Sequence, residues 1–287
     1  MSFFRTRTSS TDGRHPLDND RLRRLAPSAF AAGKHESRSD RYTYIPTVEV
    51  IEGLRENGFV PVFAKQGGSR IAGKAEFTKH LIRFRYQGVT QPVRRVGAVY
   101  PEVVLVNSHD GTSAYQIMAG LFRLICLNGM MVEDRELSTV KVPHKGDVIG
   151  QVIEGSYTVL EESKRALTAA DEWAGVTLSR GEQVAMAEAA HVLRFGEAEP
   201  GETATPIRPE QLLAPRRRDD AARDLWTTTN VLQENAIRGG LTAIGRDANN
   251  RPRRVTTREV RGIDQDVKLN RALWVLGERM AQLKAAV

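Results

Sequence analysis

Val103-Val104-Leu105-Val106-Asn107-Ser108-His109-Asp110-Gly111 carries an apolar run into a tight polar bend, and a second apolar run, residues 115–127, leaves it. Asn and Asp tolerate positive φ and glycine needs no Cβ clearance, so the bend closes a hairpin whose strands alternate into a core. The reading is two long antiparallel strands, 93–106 and 115–127, with Asn107, Ser108 and Gly111 as the structural turn. Tyr115, Met118, Ala119, Phe122, Ile125 and Cys126 would also share one face of a helix. Turn signals at both ends of the run favour strand.

Outward from the bend, the same pattern repeats. Asn128-Gly129 is a hairpin signal into a strand at 130–132. Upstream, residues 77–86 place His80, Ile82, Phe84 and Tyr86 on one face and Lys79, Leu81, Arg83 and Arg85 on the other. Pro46 suits the start of a short helix through Val50, Ile51 and Leu54, closed by Asn57-Gly58, with a strand at 59–64 after it. From Asp147 the period changes to that of a long amphipathic helix, and a second helix runs over 182–195. Helices are expected at 219–238, stopped by Gly239-Gly240, and at 264–283, with Leu269, Leu273, Leu276, Met280 and Leu283 on the apolar side.

The fold class that follows is α+β: a curved antiparallel β-meander with packed long helices and a helical C-terminal extension. The expected organisation is a basic, flexible arm over 1–42, a core over 43–195, a linker over 196–209 and the extension over 210–287.

Composition narrows the function classes. With 40% hydrophobic and 27% charged residues, the mix is that of an ordinary globular protein. No apolar stretch approaches the roughly 20 residues that span a bilayer, and no signal-peptide core opens the chain. A cytoplasmic location without membrane contact is expected. The single cysteine, Cys126, excludes an internal disulfide framework and any cysteine-rich zinc site. Lys plus Arg number 42 against 35 Asp plus Glu, a formal charge of +7. That is the footprint of a protein that meets polyanions, or of an arginine-rich solvated surface.

Candidate chemistry lies in two places. His109 and Asp110, with His144, form the best acid/base or metal set, although no ligand spacing such as His-x-x-x-His supports a metal, and no cofactor is expected. The alternative is that His109 and Asp110 lock the turn and His144 caps a strand. Lys79, Arg83, Arg85 and Arg123 on the sheet, with Arg251, Arg253 and Arg254 near the C-terminus, are the expected nucleic-acid contacts. Residues 68–75 match most of a phosphate-binding loop, but Ala75 stands where the magnesium-holding hydroxyl belongs and a strand follows, so a basic hairpin is the better reading.

The bend, the run Gly120-Leu121-Phe122-Arg123-Leu124-Ile125-Cys126-Leu127-Asn128-Gly129, and Val142-Pro143-His144-Lys145-Gly146 together resemble a phage- and plasmid-borne family, domain of unknown function 932. The pattern continues in Leu225-Trp226-Thr227, Asn230, Gln233-Glu234-Asn235, Arg238-Gly239-Gly240 and Leu269-Asn270-Arg271-Ala272-Leu273-Trp274. The resemblance implies carriage on mobile elements and transfers no catalytic residue. The order of helix, meander and long helix is similar to that of ring-forming single-strand annealing proteins. The functional expectation is a non-enzymatic protein that binds nucleic acid, single-stranded DNA foremost, in recombination or replication, with a homo-oligomer as an open option. The alternatives are a metal-assisted hydrolase or nuclease using His109, Asp110 and His144, and an interaction protein that blocks a host defence.

Overall fold

The computed structural model describes residues 9–10, 15–36, 44–69, 71, 73–88, 99–123, 129–131, 139–197, 205–247 and 249–286. The chain forms two compact units, residues 1–167 with 261–263, and residues 168–260 with 264–287. The division falls inside a continuous helix and not at the expected linker over 196–209. Neither proline nor glycine marks it, so the sequence offered no boundary signal there. Within the expected linker Ile207 is buried and its carbonyl lies 2.7 Å from His191 Nε2.

The first unit contains β1 (Ser9–Ser10), α1 (Asn19–Leu25), α2 (Thr47–Glu56), β2 (Phe59–Gln66), β3 (His80–Tyr86), β4 (Val99–Asn107), β5 (Tyr115–Arg123), β6 (Gly129–Met131), β7 (Val140–Val142) and α3 (Val148–Ala174) as far as Leu167. Strands β1 to β6 pair antiparallel in chain order, and β7 pairs with the other end of β5. This is the expected meander, and Tyr115–Arg123 is strand. The polar bend brings Val106 opposite Gln116 and Val104 opposite Met118. Residues 93–98, Arg70, Cys126, Asn128 and Val132 lie outside the described residues.

One sheet face carries Ile82, Phe84 and Tyr86 and is covered by α2 and α3. Gly53 of α2 is the close-approach point: a Cβ there would stand 3.0 Å from Ile149 of α3. Gly155 does the same for α3 against Ile117 and Val140. Part of the expected flexible arm folds onto this unit. Asp18 caps α1 by accepting from the Arg21 amide, Leu22 is buried, and the Leu17 amide donates to the Pro61 carbonyl.

The second unit contains the rest of α3, then α4 (Arg180–Phe195), α5 (Leu225–Arg238), β8 (Thr242–Arg246), β9 (Pro252–Thr256) and α6 (Ile263–Ala285) from Asp264 onward. Ser179 and Glu182 close a capping box at the start of α4. The expected helix start at 219 is corrected: residues 218–220 form a short 3-10 turn, and α5 begins only after Asp224, whose carboxylate accepts from the Thr227 amide. Trp173, Trp226 and Trp274 cluster, with the first and last ring centres 4.6 Å apart. Gly277 makes room for Trp173, since a Cβ there would come within 2.6 Å of the indole. Leu269 and Leu273 are buried as the periodicity predicts and Trp274 is buried beside them, but Leu283 is 63% exposed.

Candidate functional site

In the first unit the polar bend meets α2. The His109 amide donates to the Phe77 carbonyl, and the His109 carbonyl accepts from the His35 amide, which fixes the bend on both sides. Its side chain then reaches Thr47, at the first turn of α2, with Nε2 2.9 Å from Oγ1. His80 Nε2 lies 3.1 Å from the same oxygen, Asn107 Nδ2 donates to it at 3.1 Å, and the Tyr115 hydroxyl is 3.2 Å away. Asn107 Oδ1 in turn lies 3.0 Å from His144 Nε2, and Ser28 Oγ is 2.9 Å from His80 Nδ1. Three histidines from β3, the bend and the β7–α3 connection thus join through one threonine and one asparagine.

A hydroxyl has one proton and two lone pairs, so Thr47 serves at most three of its four neighbours at once. Such sharing needs neutral imidazoles that can both give and take a proton. Burial, and then the neighbouring His109, push His80 down to about 3. Burial and then His144 push His109 down to about 4, against the opposing pull of Asp110. His144 also lies below its ordinary value, chiefly through burial. His109 Nδ1 has no hydrogen-bond partner among the described residues.

Asp110 does not join this set. Its Oδ1 accepts from the Thr112 amide at 3.0 Å and from the Thr112 hydroxyl at 2.6 Å, and its Oδ2 lies 3.5 Å from Lys74 Nζ. Burial works to raise its carboxyl, but the bonds from Thr112 and Ser108 and the Lys74 ammonium hold it below the usual value. Gly111 sits at φ 76°, as a turn of this kind requires. Asp110 therefore locks the bend, while His109 and the half-buried His144 join the network through Thr47 and Asn107. Among the described residues no group of three or more His, Cys, Asp or Glu is placed to hold a metal ion.

The expected basic sheet face is corrected by its burial. Arg83 and Arg85 are only 5% and 3% exposed. Glu102 on β4, itself buried, faces both: Arg85 Nη2 donates to its Oε1 at 2.6 Å, and Arg83 Nε lies 3.3 Å from its Oε2. Arg83 stacks over Phe63 and Phe122, and Arg85 over Tyr100. These guanidinium groups are enclosed by aromatic rings and a carboxylate, not presented to solvent. The Arg123 side chain lies outside the described residues. Lys79 immediately precedes β3, where its carbonyl accepts from the Gly67 amide.

The second unit holds the other candidate. Its helix α5 is buried over nearly its whole length and is rich in polar side chains. Glu234 accepts from Arg217 and from Arg238 Nη1, Asn235 Nδ2 donates to the Leu212 and Ala214 carbonyls, and Gln233 Nε2 donates to Asn270 Oδ1. Arg216 donates to Asn235 and to the Gly239 carbonyl. Directly after Gly239-Gly240 the chain forms the β8–β9 hairpin, whose register pairs Ile244 with Arg254 and Gly245 with Arg253. Arg246, Arg251, Arg253 and Arg254 are all exposed on it. At its tip, Asp247 Oδ1 is taken up by the Asn249 and Arg251 amides.

The family model described as domain of unknown function (DUF932) matches residues 34–274, which include most of both units. The chain belongs to the DUF932 family. It is 47% identical over 265 residues to UPF0380 protein YafZ of Escherichia coli (strain K12), covering 92% of each chain. UPF0380 protein YfjQ of the same organism is 46% identical, with the same coverage. No solved structure matches.

In this DUF932 chain Asn107, His109 and His144 of the quoted stretches belong to the network around Thr47, and Gln233, Glu234, Asn235, Arg238 and Asn270 to the one around α5, while residues 124–128 lie outside the described residues. Sequence reasoning missed Thr47, Ser28 and the shared role of His80. It also missed the hairpin strands. The signal for His80 was its place in register with Asn107, two strands of one meander. Arg251, Arg253 and Arg254 alone among the expected phosphate contacts lie on an exposed, well-defined element.

Proposed function

We propose that this chain binds nucleic acid, and that the β8–β9 hairpin carries the contact. What supports the reading is one observation: the hairpin, residues 242–256, has four arginines against one aspartate, and that aspartate is engaged with the backbone of its own turn. Arg251, Arg253 and Arg254 have no carboxylate partner among the described residues. These three exposed guanidinium groups, with Arg246, whose Nη1 also donates to the Asn250 carbonyl, give the donors that phosphate oxygens accept. The contrast with Arg83 and Arg85 is informative, because those two already have Glu102 opposite them.

The histidine network supports a structural role. Thr47 and Asn107 hold one ring nitrogen of each of His80, His109 and His144, and Asp110, the carboxylate that a general-base reading needs, faces Thr112 and Lys74. Fluorescence anisotropy with labelled oligonucleotides tests the proposal. Binding that weakens with salt and is lost in the Arg251→Ala/Arg253→Ala/Arg254→Ala variant bears it out. Equal binding by that variant overturns it.

A further inference from the structure

The hairpin has two unlike faces. Because strand side chains alternate, cross-strand partners share a face. Ala243, Gly245 and Val255 are half-buried on one face, which Arg253, opposite Gly245, shares while remaining exposed, and a Cβ on Gly245 would stand 3.0 Å from Val255 and 3.2 Å from Pro206. That face lies against the rest of the second unit. The opposite face presents Arg246, Ile244 and Arg254, flanked by Thr242 and Thr256, with Ile244 69% exposed at its centre.

We infer that this outward face enters the major groove of B-form duplex DNA. The inference rests on the nucleic-acid reading above and specifies its substrate class. Three features point to a duplex groove. Antiparallel strands lie about 4.8 Å apart, so a two-stranded ribbon with its side chains fits a groove about 12 Å wide and is too broad for a minor groove about 6 Å wide. The hairpin has no Phe, Tyr or Trp anywhere between residues 241 and 262, whereas single-strand binding relies on aromatic stacking. And the exposed face combines donors with an apolar group, the pair that reads guanine N7 and O6 beside the thymine methyl. Duplex RNA is disfavoured because its major groove is too narrow for side chains to read.

The arginines at the foot of the ribbon are already engaged. Gly240 leads into β8, and Arg216 approaches its Cα region, with guanidinium nitrogens 3.9 and 4.0 Å from where a Cβ would lie. Arg217 and Arg238 flank the same corner through their shared partner Glu234. Held by Glu234, Asp220, Asn235 and the Gly239 carbonyl, these guanidinium groups brace the base of the ribbon, and the phosphate contacts fall to the exposed arginines of the hairpin itself. Phosphate contacts of this kind fix register and orientation, and the groove-facing side chains supply discrimination.

The test compares a B-form DNA duplex, the matching single strand and an RNA duplex of the same sequence by anisotropy. Methyl green, which occupies the major groove, and netropsin, which occupies the minor groove, serve as competitors. The expected result is at least about tenfold tighter binding to duplex DNA than to either alternative, displacement by methyl green and not by netropsin, and weaker duplex binding by Ile244→Ala with an unchanged salt slope. Displacement by netropsin, or equal affinity for the single strand, overturns the groove assignment while leaving nucleic-acid binding intact. Failure to bind any of the three oligonucleotides overturns both. Retention of full duplex affinity by Ile244→Ala/Arg254→Ala, with an unaltered circular dichroism spectrum, removes the ribbon face from the interaction.

Discussion

Arg85 donates to Glu102 at 2.6 Å across the meander, with both side chains buried among Tyr100 and Phe122. Removing the carboxylate leaves two buried guanidinium groups without it, the situation in which breaking an ion pair is most costly. Glu102→Gln is expected to destabilise the protein by about 3–5 kcal/mol, read as a lower urea midpoint at neutral pH. An unchanged midpoint would mean that the aromatic rings alone hold the arginines.

The shared hydroxyl of Thr47 gives a second prediction. Thr47→Val keeps the shape and removes the one atom that His80, His109 and Asn107 all approach. Leaving such buried groups unsatisfied costs about 1–3 kcal/mol each, so a loss of about 3 kcal/mol is expected. Thr47→Ser retains the hydroxyl and is expected to restore most of it. Thermal unfolding of the two variants side by side decides the point.

The buried histidines set the pH dependence. His80 at about 3 and His109 at about 4 both lie below the unfolded value of 6.5, so the folded state binds fewer protons. Their contribution to stability is complete above about pH 6.5 and is lost as pH falls through the 6-to-3 range. Urea midpoints measured from pH 7 to pH 4 are expected to fall steadily. In His80→Gln the midpoint at pH 7 is lower but the slope is shallower, and an equally steep slope would assign the acid sensitivity elsewhere.

Gly239 gives a backbone prediction. It sits at φ 64°, ψ −149°, a region open essentially to glycine, and a Cβ would stand 2.6 Å from the Arg258 carbonyl carbon. Gly239→Ala is expected to cost at least about 1–3 kcal/mol and, because Gly240 then holds the Thr257 carbonyl at the foot of the hairpin, to weaken oligonucleotide binding. Native-level stability and binding would contradict this.

Most of the fold could be read from periodicity. The meander, α2, α3, α4 and α6 each bury an apolar face, and alternation or helical spacing reports that directly. The β8–β9 hairpin escaped because its docked face is Ala243, Gly245 and Val255, too small and too short a run to register as an apolar stripe. Arg83 and Arg85 were misread for the opposite reason. Alternating charge on a strand resembles a solvated face, and only Glu102, isolated in the apolar run of β4, signalled that a buried partner was waiting. The histidine network was half legible. His109, Asn107 and His144 stood out, but Thr47 has no local pattern, and its role exists only once α2 packs against the bend.

The most direct test of the central claim is the salt dependence of duplex DNA binding by the wild type and by Arg253→Glu/Arg254→Glu. Four cationic side chains brought against the polyanion give an expected slope of about −4 in log affinity against log salt. The variant should lose most of its affinity and show a slope nearer about −2, with its urea midpoint unchanged because both residues are exposed. Salt-insensitive binding by the wild type, or a variant that matches it in affinity and slope, would contradict the account.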